Sequence, residues 1–282
     1  MPSLAPTLTV AAAQFTAGTN VEKNLARIAD LVAEAAAKDA ALVVLPEASM
    51  YAWDAPDLAT AARASEADFV AGIVELAKQH ALVIVAGLFA QAPDDDRPYN
   101  RLLVADPGGV RATYDKVHLY DAFSYAESDR ITPGPTHADA SELVTIEVGG
   151  FTVGLLNCYD LRFPEMARAL VDRGADVLAV SSAWVAGPHK EMHWELLLRA
   201  RAVENTCYVL ASCQPPPAST GLSMAVDPMG LVMGTCARAE GLVVTDLSQS
   251  HLSEVRRVLP CLDNRRYRAG IAPPVTPNQG EK

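Results

Sequence analysis

Short, wholly apolar runs alternate with stretches of helical period along the first ninety residues of the chain. Leu8 to Phe15 reads as a strand. Asn20 is placed to cap a helix in which Val21, Leu25, Ile28, Leu31, Val32 and Ala35 recur at helical spacing. Leu42 to Leu45 is a strand of the kind buried on both faces, and Leu82 to Leu88 is another. Between them, Ser65 with Asp68 resembles a capping box, and Phe69, Ile73 and Leu76 supply the buried face of a second helix.

The middle of the chain changes rhythm to direct hairpins. Tyr99 to Ala105 and Val110 to Val117 flank the turn Asp106-Pro107-Gly108-Gly109. Leu143 to Val148 and Phe151 to Leu156 flank Gly149-Gly150, a shorter turn still. Asp176 to Ser181 and Thr206 to Ser212 are strands on either side of a long helix that Pro188 opens and that runs to about Glu204. A late set of strands, Leu222 to Val226, Leu231 to Thr235 and Leu242 to Asp246, surrounds Asp227-Pro228-Met229-Gly230. Helices between single strands, mixed with hairpins, imply mixed sheets covered by helices; the pattern alone reaches the α/β class and no further. Asp94 to Asp96 and Pro215 to Pro217 read as exposed loops. No linker splits the chain, so residues 1–270 read as one unit and 271–282 as a proline-containing tail.

Half of the 282 residues are hydrophobic, enough for a sizeable core. A net charge of −11 with no basic stripe opposes nucleic acid or an anionic membrane surface as partner. No apolar run reaches bilayer-spanning length, and the first residues lack the basic-then-apolar order of a secretory signal. Five scattered cysteines without Cys-x-x-Cys spacing fit reduced thiols in a cytoplasmic protein. His189 and His193 stand i, i+4 on the long helix, but no third ligand accompanies them, so no metal is expected.

Three positions invite chemistry. The strand Phe151 to Leu156 runs into a helix whose stripe is Phe163, Met166, Ala167 and Leu170, with Pro164 in its first turn and Gly174 ending it. Cys158 falls on the turn between them. Outward backbone N–H groups and the helix dipole should make such a thiol easier to ionise, and they leave amides for an oxyanion. A small buried hydrophobe fits the same place. Glu47 ends a buried strand, where open α/β sheets put their ligands; it reads as a base or as an exposed cap of the following turn. Lys116 ends a strand that should run inward, and reads as an oxyanion stabiliser or as a snorkelling surface lysine.

Cys158-Tyr159-Asp160-Leu161-Arg162-Phe163-Pro164-Glu165 resembles the nucleophile motif of the carbon–nitrogen hydrolase (nitrilase) superfamily, closest to its Nit-type amidases. Leu45-Pro46-Glu47 and Asp115-Lys116-Val117-His118-Leu119 resemble two further motifs in the family's order, and three ordered motifs are far more specific than one. The resemblance implies an α/β fold, an αββα four-layer sandwich with two mixed sheets, without cofactor or metal. It implies Glu47 as base, Cys158 as nucleophile, and Lys116 as oxyanion stabiliser beside the Tyr159 backbone N–H. Glu127 matches a second glutamate that would orient the lysine. His118 is expected to steady the lysine strand. Tyr51, Ser182 and Trp184 are expected to help line the acyl pocket. Arg162 is expected in a network with Asp160, or on a substrate carboxylate.

The implied activity is hydrolysis of a small linear amide through a cysteine thioester, releasing ammonia, in the manner of ω-amidases or deaminated glutathione amidases. An N-carbamoyl amine hydrolase or a nitrilase would use the same residues, and a catalytically silent scaffold would keep the fold. Ser181-Ser182-Ala183-Trp184 and Gly221-Leu222-Ser223 depart from the Pro-Ser-Ala-Phe and Gly-His-Ser of the nearest Nit amidases, which leaves the substrate open. The resemblance also implies a homodimer or higher homo-oligomer, joined through the helices after Cys158 and the C-terminal arm.

Overall fold

A computed structural model describes residues 6–137 and 139–267, so the 271–282 tail lies outside the described residues. In chain order the first half runs β1 (Thr7–Gln14), α1 (Val21–Ala36), β2 (Leu42–Val44), α2 (Leu58–His80), β3 (Val83–Ala90), β4 (Tyr99–Asp106) and β5 (Gly109–Asp115). A small hairpin, β6 (Asp121–Ala122) with β7 (Tyr125–Ala126), follows. The second half runs β8 (Thr145–Val148), β9 (Phe151–Asn157), α3 (Pro164–Asp172), β10 (Val177–Ser182), α4 (Lys190–Asn205) and β11 (Tyr208–Cys213). It ends with β12 (Met224–Val226), β13 (Val232–Thr235), β14 (Gly241–Ser248) and α5 (Gln249–Val258).

The strands form two six-stranded sheets, ordered β14-β1-β2-β3-β4-β5 and β13-β12-β11-β10-β9-β8. Each has three parallel strands at its centre and antiparallel strands at its edges. The fold is the αββα sandwich of two mixed sheets, and side-chain parity shows why. In β2, Leu42 and Val44 join the core between the sheets, while Val43 and, one residue on, Leu45 join the core under α1 and α2. In β3, Val83 and Val85 face the other sheet, and Ile84, Ala86 and Leu88 face the helices. A strand covered on both faces has no polar side to spare, hence the unbroken apolar runs.

Most elements follow the pattern in the sequence. The Asn20 side chain accepts from the Lys23 N–H at 2.9 Å and opens α1 as expected. Ser65 and Asp68 do not open a helix: α2 starts at Leu58, and both lie inside it. The alanines from Ala59 to Ala64 carry the helix through a stretch with little periodicity. β14 does not stay with β12 and β13 but crosses to pair antiparallel with β1, where Thr9 Oγ1 donates to Asp246 at 2.6 Å. Pro215, expected on an exposed loop, is buried; Asp94 and Asp96 are exposed as expected. Among the described residues no helix is long and apolar enough to cross a membrane.

Candidate active site

The carboxyl ends of central strands from both sheets meet at one place. The β2 ladder continues one residue through Leu45 N–H to Val85 O at 2.8 Å, and Pro46, with no N–H, stops it. Glu47 then turns inward, its backbone carbonyl accepting from Gln214 Nε2 at 2.9 Å, while Ser49 Oγ donates to Pro46 O at 2.6 Å. The Glu47 loop lies directly on β3. A methyl group on Gly87 would stand 2.5 Å from Ala48 N and 2.8 Å from Glu47 Cα. Lys116 follows β5, its N–H donating to Asn100 O at 2.9 Å. Cys158 follows β9 with φ +50°, in the left-handed region that non-glycine residues rarely occupy. It opens a single 3-10 turn, Cys158–Arg162, and the Asp160 carboxylate accepts from Asn157 N–H at 2.9 Å at the head of that turn.

The side chains converge in a buried polar cluster. Lys116 Nζ donates to Glu47 Oε1 at 2.8 Å and to Glu127 Oε2 at 2.8 Å. Asn100 Nδ2 bridges the same two carboxylates at 2.8 and 3.0 Å, and its carbonyl accepts from Asn157 Nδ2 at 3.0 Å. The other oxygen of Glu47 accepts from Ala183 N–H at 2.8 Å, and Glu127 Oε2 accepts from Tyr120 N–H at 2.7 Å. Ser182 Oγ donates to Cys158 Sγ at 3.2 Å. His118 and Tyr114 hold Asp160 from below at 2.8 and 2.7 Å, and the imidazole stacks on Phe163 at 3.8 Å between centroids.

The electrostatics correct one expectation. Burial and the neighbouring Glu47 carboxylate push the Cys158 thiol well above its ordinary range, outweighing the Lys116 ammonium. The turn does not make this thiol easier to ionise: the 3-10 segment is short, and Asp160 already occupies the positive end of its backbone. Burial would raise Glu47, yet the Lys116 charge and the hydrogen bonds from Lys116, Cys158 and Ala183 bring it below the usual carboxylate range. Burial would lower Lys116, and Glu127 and Glu47 override it to hold the amine well above its usual value. The resting charges are therefore a neutral thiol beside an ionised carboxylate and an ammonium.

Above the cluster opens a narrow cavity that connects to solvent. Glu47, Asn100, Lys116, Glu127 and Cys158 form its polar floor. Trp53, Tyr120, Tyr125, Tyr159 and Trp184 form much of its wall, and Lys190 joins them. Of the residues singled out in the sequence, Glu47, Lys116, Cys158, Glu127, Tyr159 and Trp184 share this cavity, and Ser182 touches the sulfur. Tyr51 lies elsewhere, packed under the helices with its hydroxyl donating to Asp57 at 3.1 Å. Arg162 lies behind Trp184, its guanidinium 4.7 Å from the ring centroid, and Asp160 pairs with His118 and Tyr114 and not with Arg162. Asn100, Tyr120 and Lys190 escaped the sequence reading. Asn100 carries a weak signal, an amide in an otherwise apolar inward position of β4.

Similarity to known proteins agrees with this geometry. The carbon–nitrogen hydrolase family model matches residues 9–257. The deaminated glutathione amidase of Escherichia coli O157:H7 is 37% identical over 267 residues, covering 94% of this chain and 98% of that protein. The human deaminated glutathione amidase is 36% identical over 277 residues, covering 91% and 82%. Among solved structures, Saccharomyces cerevisiae Nit3, a member of branch 10 of the nitrilase superfamily, superposes with a TM-score of 0.82 at 26% identity, covering 94% of this chain and 98% of that one. With its sandwich, its inward-turned polar cluster and a family match over nearly its whole length, this chain belongs to the carbon–nitrogen hydrolases and is an amidase-type enzyme.

Proposed function

We propose that the chain hydrolyses the terminal amide of a small linear acid amide, as an ω-amidase or a deaminated glutathione amidase does, with Cys158 as nucleophile. One observation carries this reading: a neutral thiol faces an ionised Glu47 that is itself clamped by Lys116, Asn100 and Ala183 N–H. A free thiolate would be costly in this buried place, so the proton leaves Sγ for Glu47 only as sulfur attacks the amide carbon. The Lys116 ammonium and the Tyr159 backbone N–H stabilise the oxyanion. Glu47 passes the proton to the departing nitrogen, and ammonia leaves a thioester. Water then attacks the thioester carbon, giving its proton to Glu47; the C–S bond breaks, Glu47 returns that proton to the leaving sulfur, and the acid, the free thiol and the ionised carboxylate are restored. Glu127 holds the lysine throughout.

The same proposal makes residues 1–270 a single catalytic unit. It places the unit in a reducing cytoplasm, which suits five unpaired cysteines. It also pairs two copies through α4, whose exposed Met192, Leu196 and Val203 run along one face toward Met229 and Leu231. The test is ammonia release from a panel of ω-amides, N-carbamoyl compounds and nitriles. Cys158→Ala is expected to lose at least about 10³-fold in kcat while keeping its fold. Full turnover by that variant, or turnover of nitriles alone by the natural chain, overturns the reading.

A further inference from the structure

Lys190 is the first residue of α4 and is only 5% exposed. Lysines this deeply buried ordinarily have a carboxylate partner. Among the described residues none forms an ion pair with Lys190. Its Nζ instead donates to Tyr120 Oη at 2.8 Å and lies over the rings of Phe123, Tyr120 and Trp184, at 4.4, 4.6 and 5.4 Å from their centroids. Trp184 returns the contact through Nε1–H, which donates to Lys190 O at 3.0 Å. Aromatic faces hold a cation in place without neutralising it.

The place of this ammonium is what gives it meaning. Lys190 lines the cavity over Cys158 and also the recess just outside, between Phe123 and Pro188. The cavity floor holds two carboxylates, Glu47 and Glu127, against one ammonium, Lys116, which sums to −1 with the thiol neutral. An anionic group is therefore repelled at the floor and attracted at the wall. Two of the three N–H bonds on Nζ remain after Tyr120 has taken one.

We propose that Lys190 is the specificity-determining residue that binds the carboxylate of an acid-bearing amide, fixing that end of the substrate while the amide reaches Cys158. This deepens the amidase reading above and rests on it. The field runs one way along the cavity, so the substrate enters amide first. A neutral chain of the same length leaves the ammonium desolvated and unanswered. Burial, with Arg162 nearby, already holds the Lys190 amine below the usual lysine range, so an incoming carboxylate relieves a real electrostatic cost.

The experiment compares glutaramate with pentanamide, which match in length and differ in the terminal carboxylate. Lys190→Met is expected to reduce the ratio of their kcat/KM values by on the order of 10- to 100-fold, the worth of a hydrogen-bonded charge. Lys190→Arg is expected to restore most of that ratio, which a purely structural lysine would not do. An unchanged ratio in Lys190→Met overturns the proposal even if amide hydrolysis itself persists. Binding separates the proposal from the amidase reading. In Cys158→Ala protein, glutarate measured by calorimetry is expected to bind, and to weaken by a similar factor when Lys190→Met is added. Equal affinity with and without that second change overturns the role of Lys190, whereas a lysine-dependent affinity without turnover in the natural chain sinks the amidase assignment alone.

Discussion

A carboxylate with an ordinary pKa, placed next to a thiol, would compete with it for one proton; here the competition is settled in advance. The Lys116 charge and hydrogen bonds from Lys116, Cys158 and the Ala183 N–H fall on Glu47 and hold it below the usual carboxylate range despite its burial. The sign of the pH dependence follows. Glu47 is depressed in the folded chain, so it stays ionised as pH falls past its unfolded value near ~4.3 and takes up its proton only below that. Any stability it contributes is complete above the unfolded value and lost through the folded one. Lys116 is raised, so it stays charged above its unfolded value near ~10.4. For the free enzyme, kcat/KM is expected to be flat from about pH 5 through neutral pH, with the acid limb below ~4.3. The profile is read from ammonia release in a constant-ionic-strength buffer series, with return to pH 7 after each point to separate titration from unfolding. An acid limb near pH 6 would assign the base to an imidazole and not to Glu47.

At the scale of elements, what the site needs is a loop held to within a fraction of an ångström, and Gly87 is the anchor. Its missing side chain lets β3 press against the backbone that carries Glu47. Gly87→Ala is expected to destabilise the chain by about 1–3 kcal/mol in urea denaturation, as overpacking does. It should also lower kcat by about 10² by displacing Glu47. Gly154→Ala is the control: its methyl would meet the side chains of Leu170 and Ala175 at 3.1 to 3.3 Å, away from the reacting groups, so stability falls while kcat holds. Equal losses of kcat in both would make the Gly87 effect global and not local.

The same scale shows what was legible. Strands buried on both faces announced themselves as apolar runs, and α1 through its cap and period. α5 did not, because only Leu252 and Val255 of its ten residues are buried, too few to set a period. The crossing of β14 was invisible because an apolar strand does not encode which sheet it joins. Glu47, Lys116 and Cys158 were legible only as motifs, each ambiguous alone. Asn100 left only the faint trace of an amide among apolar inward positions of β4, and Lys190 left none, since nothing local tells its buried amine from a solvated one; three-dimensional neighbours decide it.

At the scale of the whole molecule, the cluster exists only where two sheets meet. The first sheet brings Glu47, Asn100 and Lys116, and the second brings Cys158, Ser182 and the Ala183 N–H. α4 links this centre to the outside, since its first residue lines the cavity and, among the described residues, its far face carries exposed apolar side chains. Met192, Leu196 and Val203 on that face, with Met229 and Leu231 on the adjoining turn, are 40% to 66% exposed. The pairing proposed above rests on this surface, because a second copy of the same apolar face matches it in chemistry. An isologous pair also places each α4 against its own symmetry mate, so one substitution strikes the interface twice. Light scattering on the eluting protein is expected to give twice the 29.9 kDa chain mass, and Leu196→Glu, which buries two like charges at the centre, is expected to give the single-chain mass with secondary structure intact. A natural chain that elutes at 29.9 kDa at micromolar concentration would leave the face of α4 without this partner.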